Sequence, residues 1–566
     1  MSERSLADIL LGRLARLHAR RVLARFLRDV ERATQVQQRV LFEKLRRNAG
    51  SAYGRDHGFA SIRTYDDFAR QVPVSSYEDL SPYVRRVMAG ETNAMFGRNQ
   101  RVLMFAMSSG TTDEPKYVPV TPHFLAEYRR GWNAYGVKAI SDHPATFLRP
   151  ILQVSSPMDE QHAPSGVPCG AITGLMAATQ KRIVRRYYVT PPCTAYIADA
   201  DSRYYTIMRL AMAGDVAFMI TANPATQLKL ARTADANAEP LIRDIHEGTL
   251  TSRFDVPRAV RDALAPRLAS APARARALAR IADSTGRLLP RDVWNLGFLA
   301  NWMGGTMGLY LQDFPEYFGD VPVRDIGLLA SEARMSVPIE DGTPAGVLDV
   351  TSNFFEFIPA ADHESPDPPV LRAHEVEPGR EYFILLTTSA GFYRYDIGDQ
   401  VRVTGFQGQA PVIEFLHRGS SVSSLTGEKL TEQQAVRAVE QACGQLGLPI
   451  RTFVLAPQWA GTPFYRLHLE GGPAIAGHPL QALAREVDAQ LRAANIEYAC
   501  KQDSGRLGPL ELNPLPERFF AEHEAGELTR RGGRQEQHKH RYLLPMPGLD
   551  AEFPIAAPQP GPEALF

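Results

Sequence analysis

The stretch that ends at Lys116 contains the residue types that bind phosphate. An apolar run at residues 102–107, typical of a buried strand, leads directly into a loop of small hydroxyl residues that ends in a lysine. Hydroxyl and backbone N–H groups can face phosphate oxygens, and the lysine adds a mobile positive charge. The loop residues with this capacity are Ser108, Ser109, Gly110, Thr111 and Thr112. The spacing differs from the Walker A motif, so a polar hairpin with a surface lysine stays open as the alternative.

Two carboxylates stand next to strand-like runs. Glu332 follows the run at residues 326–328, and a carboxylate at a strand end can hold Mg²⁺ against phosphates. Asp399 follows Gly398 and precedes a strand at residues 401–403, where a tight turn would expose its carboxylate. A carboxylate in that place can accept protons from both ribose hydroxyls. Taken singly, each is equally typical of a surface loop or a plain turn.

Three further segments carry candidate residues. Gly305 and Thr306 lie in a glycine-rich turn, and Arg418 follows an apolar strand at residues 412–416. Lys539 stands near the end of the chain, in a basic stretch that by itself is typical of a flexible tail. The sequence gives no convincing Ser-His-Asp or Cys-His arrangement. Histidines do lie near some motifs, but a single histidine is more often structural than catalytic.

The phosphate loop resembles a known motif. SSGTTDEPK, residues 108–116, is similar to the phosphate-binding motif of the acyl-adenylate-forming superfamily, which includes acyl-CoA synthetases, peptide-synthetase adenylation domains and luciferase. Asp113 stands where a glycine is usual. The strings YGRDHGF, SYEDLSPYVRRVMAGE, VWNLGFLANWMGGTMG and FFEFIP then narrow the match to the auxin-responsive family of acyl acid amido synthetases, which join jasmonate, auxin or benzoates to amino acids. The resemblance covers residues 35–545. The plant members have one more residue in the phosphate loop, so this chain resembles a bacterial-type member of the family.

The resemblance implies roles for single residues. Ser331 and Glu332 match the serine and glutamate of the family's YASSE motif, with Leu328 in place of its aromatic residue. YRYDIGD resembles the third motif, whose aspartate, here Asp399, binds ribose. The late lysine, Lys539, would reach the main site during adenylation and stabilise charge on the α-phosphate. The residues to which the resemblance gives nucleotide contacts are Ser108, Ser109, Gly110, Thr111, Thr112, Lys116, Gly305, Thr306, Ser331, Asp399 and Arg418.

Composition excludes several classes of protein. The 566 residues include 63 basic and 63 acidic side chains, and this zero net charge argues against a nucleic-acid binder. No apolar run approaches the roughly 18 residues of a membrane span, and Asp8 and Arg13 interrupt what would be a signal peptide's apolar region. Four cysteines without a CxxC spacing predict free thiols in the cytoplasm. A basic amphipathic helix at residues 5–47 could lie on an anionic membrane, although packing against the main domain is favoured.

The pattern of elements predicts two domains. Short apolar strands alternate with helices between residues 100 and 420, as in an α/β domain with buried strands. Thr431 and Gln434 form a capping-box pair that begins a second, α+β module. We therefore predict a large, multi-sheet N-terminal domain that binds ATP and the acid, residues 1–424. A smaller, mobile C-terminal domain that carries the late lysine follows at residues 425–566, and the small, polar stretch 419–427 is predicted to be the hinge.

The resemblance implies an ATP-dependent ligase that activates a carboxylic acid as an acyl-adenylate, releases pyrophosphate, and transfers the acyl group to an amine, with an amino acid as the expected acceptor. Lys539, Lys116 and Glu332 are the expected catalytic residues, with Mg²⁺ on Glu332. Met335 and Val337 are expected to line the acid site, between helices of residues 122–178 and the segment after Glu332. The expected partners are small molecules, with no nucleic acid and no integral membrane segment, and the expected state is a monomer. The alternatives are a thioester-forming acyl-CoA ligase, and a non-catalytic protein that binds nucleotide or a membrane surface.

Overall fold

The computed structural model describes residues 20–97, 100–108, 115–363, 365–419, 422–448, 452–470, 480–520, 522–523 and 541–555. These residues form two compact units. The first unit contains residues 116–417 together with those up to 108, and the second unit contains the residues from Arg418 onward. Among the described residues, no helix has the length and apolar character needed to cross a membrane.

Three sheets give the first unit its framework. A four-stranded sheet has the order Lys116–Val120, Met104–Ser108, Pro168–Gly170, Gln161–His162. A parallel four-stranded sheet has the order Ile151–Gln153, Phe218–Ile220, Phe298–Asn301, Val323–Asp325. A seven-stranded sheet has the order Leu371–Arg372, Phe354–Pro359, Glu381–Thr387, Tyr395–Gln407, Ala410–Arg418, Gly346–Leu348, Ser336–Val337.

Helices surround these sheets. The α-helices of the first unit are residues 20–30, Ala33–Asn48, Ala52–Asp56, Tyr65–Gln71, Tyr77–Met88, Pro122–Asp142, Ile172–Ala178, Arg182–Arg185, Ala200–Met212, Pro224–Ala236, Ala238–Glu247, Arg258–Leu264, Pro272–Thr285, Pro290–Val293 and Phe314–Phe318. Its 3₁₀ helices are Thr92–Ala94, Pro144–Thr146, Pro192–Tyr196, Ala265–Arg267, Gly305–Asp313 and Ala360–Asp362. Helix starts follow from local sequence: the Thr121 hydroxyl accepts the Phe124 N–H, and Pro122 occupies the first turn, where its missing N–H costs nothing.

The predicted N-terminal helix is only partly observed. Residues 1–19 lie outside the described residues, and the remainder is divided by a turn at residues 31–32. Phe26 and Val30 are buried in the main hydrophobic core of the first unit. In this part of the helix the apolar face therefore packs against protein, as the favoured interpretation of its sequence requires.

The second unit is an α+β module, as predicted. Two short strands pair, Val422–Ser423 and Leu430–Thr431, and the helix that follows begins with the predicted capping box of Thr431 and Gln434. A three-stranded sheet has the order Phe453–Gln458, Phe464–Glu470, Glu511–Leu515. The helices are Glu432–Gln445, Leu480–Ala494 and Ile496–Asp503. The apolar faces of these elements form a core of their own, so the unit has the content of an independent domain.

Candidate functional site

The predicted phosphate loop connects two adjacent strands. Met104–Ser108 pairs antiparallel with Lys116–Val120, and Ser108 lies opposite Lys116 in the register. The loop candidates Ser109, Gly110, Thr111 and Thr112 lie outside the described residues. The hairpin nevertheless fixes both ends of the loop at one point of the sheet.

Lys116 faces two tyrosines. Its side chain is buried, and its Nζ lies 3.4 Å from the hydroxyl of Tyr395. The same Nζ lies 5.4 Å from the ring centroid of Tyr77 and 6.0 Å from that of Tyr395, within the range of cation–π attraction. Because Tyr395 belongs to the YRYDIGD string, this contact joins the first and third motifs, which are 279 residues apart. The two tyrosines were not predicted as site residues, although both lie within strings that carry the family resemblance.

Glu332 is buried close to these groups. Burial raises the pKa of Tyr77 and of Tyr128 to about 12 each, and the Glu332 carboxylate adds a smaller upward contribution to both. Ser331 donates a hydrogen bond to the Met107 carbonyl oxygen at 3.2 Å, which places it beside the strand that enters the phosphate loop. Within the described part of the chain, no hydrogen bond to the Glu332 carboxylate is found and no cluster of three or more potential metal ligands exists.

The segment that carries Glu332 differs from the prediction. The strand ends at Asp325, and the run at residues 326–328 is not its continuation, because Gly327 turns the chain at a φ of 89°. Residues 326–336 form a closed hairpin, here called the glutamate hairpin. Leu329 bridges Arg334, and the Ala330 N–H donates to the Ala333 carbonyl at 2.8 Å. Ser331 and Glu332 therefore lie at the tip of a hairpin and not at a strand end.

Asp399 was predicted in an exposed turn before a strand, and this was wrong. The strand Tyr395–Gln407 runs through the position, with Phe383 paired to Gln400 and Leu385 paired to Asp396. Residues 397–399 form a bulge, which Gly398 permits with a φ of 77°. The Asp399 side chain is only 6% exposed, because pairing continues on both sides of the bulge. A bulge re-aims a side chain as a turn would, so the ribose-binding role of Asp399 stays a prediction.

The glycine-rich turn lies beside the glutamate hairpin. The parallel strand Phe298–Asn301 leads into the turn, and a 3₁₀ helix begins at Gly305. The carboxylate of Asp325 accepts the N–H of Met303 and that of Gly327, each at 2.6 Å. Burial raises the pKa of Asp325 to about 7, although these backbone hydrogen bonds oppose the change. Sequence analysis missed Asp325, because nothing local distinguishes it from any aspartate that follows a strand.

The remaining candidates are not brought to this place by the described contacts. Met335 and Val337 are fully buried members of the first unit's core, and their role as walls of an acid site stays a prediction. Arg418 is the last residue of its strand. Lys539 lies outside the described residues.

Family models match most of the chain. The GH3 family N-terminal domain matches residues 22–323, the GH3 family central domain residues 346–418, and the GH3 family C-terminal domain residues 433–546. The chain belongs to the GH3 family. The resemblance to the acyl acid amido synthetases is thereby confirmed. In this GH3 chain, Lys116, Gly305 and Thr306 fall in the first match and Asp399 in the second, whereas Glu332 lies between them.

Relatives of this GH3 protein include plant enzymes. It is 29% identical over 445 residues to the indole-3-acetic acid-amido synthetase GH3.8 of Oryza sativa subsp. indica, covering 73% of this chain and 70% of the relative. It is 25% identical over 531 residues to the indole-3-acetic acid-amido synthetase GH3.10 of Arabidopsis thaliana, covering 87% and 89%. It is 26% identical over 427 residues to the jasmonoyl–L-amino acid synthetase JAR4 of Nicotiana attenuata, covering 72% and 73%.

A solved structure shares the fold. The AtGH3.15 acyl acid amido synthetase in complex with 2,4-DB superimposes with a TM-score of 0.65 at 21% identity, covering 92% of this chain and 93% of that one. The predicted architecture, a large multi-sheet α/β domain followed by a smaller α+β domain, is therefore confirmed.

Proposed function

We propose that this GH3 protein is an ATP-dependent acyl acid amido synthetase. The contact of Lys116 with Tyr395 carries the proposal, because it joins the phosphate hairpin to the third motif. The named activities of its plant relatives, which conjugate indole-3-acetic acid or jasmonate, support the same reaction. The proposed substrates are a small carboxylic acid, ATP and the amine of an amino acid.

The chemistry has two balanced steps. A carboxylate oxygen of the acid attacks the α-phosphorus of ATP, an O–P bond forms, and the bond to pyrophosphate breaks. The amine then attacks the acyl carbon, a C–N bond forms, AMP leaves, and the nitrogen loses a proton. The protein's contribution is to position the reactants and to neutralise phosphate charge. Lys116 is the described residue suited to the second task.

The buried carboxylate of Glu332 fits a magnesium ion that accompanies ATP. Carboxylate oxygens are ligands that Mg²⁺ prefers, and no described donor occupies this one with a hydrogen bond. The ion, when bound, would offset charge on the phosphates. Asp399 is proposed to hold the ribose, and Lys539 to act in adenylation. We also propose that the nucleotide is contacted by the phosphate loop and by four residues outside it, Gly305, Thr306, Ser331 and Arg418.

The acid is proposed to bind beside the helix Pro122–Asp142, where Tyr128 lies near Glu332, with Met335 and Val337 behind it. A cytoplasmic location is proposed because all four cysteines are unpaired. Because the proposed substrates are small molecules, we propose that the protein works as a monomer. The proposed reaction requires neither nucleic acid nor a membrane.

One experiment separates this proposal from its alternatives. The purified protein is incubated with ATP, Mg²⁺, a panel of aryl and alkyl carboxylic acids, and either mixed amino acids or coenzyme A, and the products are identified by mass spectrometry. We expect an acyl–amino acid amide together with AMP and pyrophosphate. A thioester formed only with coenzyme A would identify an acyl-CoA ligase instead. Nucleotide binding without any acid-dependent pyrophosphate would identify a non-catalytic protein.

A further inference from the structure

Two loops of the first unit meet at one buried carboxylate. Asp325 ends the edge strand of the parallel sheet and is 3% exposed. Its Oδ2 accepts the N–H of Met303, and its Oδ1 accepts the N–H of Gly327, both at 2.6 Å. A neutral side chain of the same shape cannot accept at both atoms, because one of them would carry hydrogen.

The loops joined in this way are those that carry the proposed nucleotide residues. Met303 leads into the turn with Gly305 and Thr306, and Gly327 begins the glutamate hairpin. A second connection runs in parallel, since the Trp302 indole N–H donates to the Gly327 carbonyl at 3.0 Å.

Contacts within the glutamate hairpin and beside it hold it closed. The Arg334 guanidinium donates back to the Ile326 carbonyl at 2.5 Å and lies 4.5 Å from the ring of Trp132. The Leu328 N–H donates to the Ser336 hydroxyl at 2.9 Å. With the hairpin closed on itself, the position of its tip depends on how its base is held, and Asp325 holds the base.

We propose that Asp325 is a positioning residue for adenylation, which fixes the glycine turn and the glutamate hairpin in register so that Glu332 is presented at one place. The inference rests on the proposed function. A displacement of about 1 Å in a positioned group can cost a hundredfold in rate. The ionised carboxylate suits this task better, because protonation puts a hydrogen on one oxygen and makes that oxygen a weaker acceptor.

The groups that face Asp325 favour titration near neutrality. Burial raises its pKa to about 7, against the backbone N–H groups and the more distant positive charge of Arg334. Tyr135, on the helix Pro122–Asp142, is the other titratable neighbour, and burial raises its pKa above its usual range. The adjacent strand contributes the neutral Asn301. Protonation of Asp325 below pH 7 should therefore weaken its hydrogen bonds with backbone N–H groups, which include those of Met303, Gly304 and Gly327.

The test compares Asp325→Asn with Asp244→Asn. Asp244 is a matched control, because it is also buried and also accepts a backbone N–H, that of Thr251 at 2.8 Å, together with the Tyr205 hydroxyl. Acid-dependent pyrophosphate release is measured per folded molecule between pH 6 and 9. In the parent we expect kcat to decline by up to about tenfold between pH 8 and pH 6. We expect Asp325→Asn to lower kcat by about ten- to a hundredfold and to remove that decline. We expect Asp244→Asn to keep both the rate and the pH profile.

Amide hydrogen exchange supplies a readout without substrates. The amides of Met303 and Gly327 should exchange faster in Asp325→Asn than in the parent or in Asp244→Asn. Unchanged exchange at both amides, or a parental kcat and pH profile, would overturn the role of Asp325. A parent protein that releases no pyrophosphate with any acid would instead overturn the proposed function, and the exchange rates would still decide whether Asp325 joins the loops.

Discussion

Removing one charge from the buried ion pair between Lys44 and Glu127 should destabilise the first unit by about 3–5 kcal/mol. Lys44 Nζ lies 3.1 and 2.9 Å from the two carboxylate oxygens of Glu127 and 2.9 Å from the Ser389 hydroxyl. The pair connects the helix Ala33–Asn48 to the helix Pro122–Asp142, which begins just after the strand of Lys116. Glu127→Gln keeps the side chain's shape and removes its charge.

Two routes give similar magnitudes for this substitution. Breaking one side of a buried ion pair typically costs about 3–5 kcal/mol, because the remaining charge is left uncompensated. Burial alone would raise the pKa of Glu127, but the attraction of Lys44 and the hydrogen bonds from His123 and Lys44 lower it to about 2. Relative to an ordinary glutamate, that pKa corresponds to about 3 kcal/mol at neutral pH.

The pH dependence has a defined sign. The folded-state pKa of Glu127 is depressed, so its contribution is present above the unfolded pKa and is lost as the pH falls from about 4.5 towards 2. In Glu127→Gln the loss of unfolding free energy over this acidic range, here called the acid limb, should be smaller than in the parent. The pKa of Lys44 is already lowered by burial, and without the carboxylate it should fall further, so the variant should gain stability as the pH rises.

The assay is urea unfolding followed by tryptophan fluorescence, since Trp132, Trp294 and Trp302, three of the four tryptophans, lie in the first unit. Lys138→Met is the matched control on the same helix, because Lys138 pairs with Asp142 at a partly exposed site and should cost less than about 1 kcal/mol. A loss below 1 kcal/mol for Glu127→Gln, or an acid limb identical to the parent's, would refute the reasoning.

Three further predictions concern the proposed reaction and the second unit. Asp399→Ala should weaken ATP binding by about 1.5–3 kcal/mol through loss of charged hydrogen bonds, and an unchanged affinity in calorimetry would contradict its ribose role. Lys539→Ala should slow pyrophosphate release about a hundredfold or more yet convert pre-formed acyl-adenylate to amide near the parent rate. Lys116→Ala should mainly impair the use of ATP. Equal slowing of both steps by Lys539→Ala would count against a role of Lys539 in adenylation alone. Glu428→Gln should accelerate amide exchange at Leu425 and Thr426, whose N–H groups its carboxylate accepts at 2.6 and 2.7 Å, and slow exchange in the variant would show that the carboxylate is not needed there.

Local signals in the sequence predicted local structure well. The capping box at Thr431 and Gln434 is present, and the strand before the phosphate loop is observed as Met104–Ser108. The capping box depends on neighbours within four residues, so the local sequence contains its whole cause, and the strand is marked by its own apolar run. The family resemblance extended this reach, since it supplied the order of the motifs along the chain.

Long-range contacts could not be derived in the same way. The tyrosine partners of Lys116 come from a helix and from a strand of another sheet, and no spacing rule connects them. Asp325 accepts backbone N–H groups of Met303 and Gly327. Nearly every residue type has such a group, so these contacts cannot be predicted from residue types. The bulge at Gly398 depends on the pairing of its strand with Glu381–Thr387.

The hinge predicted at residues 419–427 stays a prediction, and part of that segment is paired within the second unit. Residues 419–427 are small and polar, which favours a pivot, yet the strands Val422–Ser423 and Leu430–Thr431 pair and close the segment between them. Glu428 is fully buried inside it and accepts the Tyr465 hydroxyl at 2.5 Å in addition to the two backbone N–H groups. Bending within residues 422–431 would therefore strip hydrogen bonds from a buried charge, which costs far more than rotating an open linker. Bending at residues 422–431 is therefore disfavoured, and Glu428 is expected to stay with the fold of the second unit.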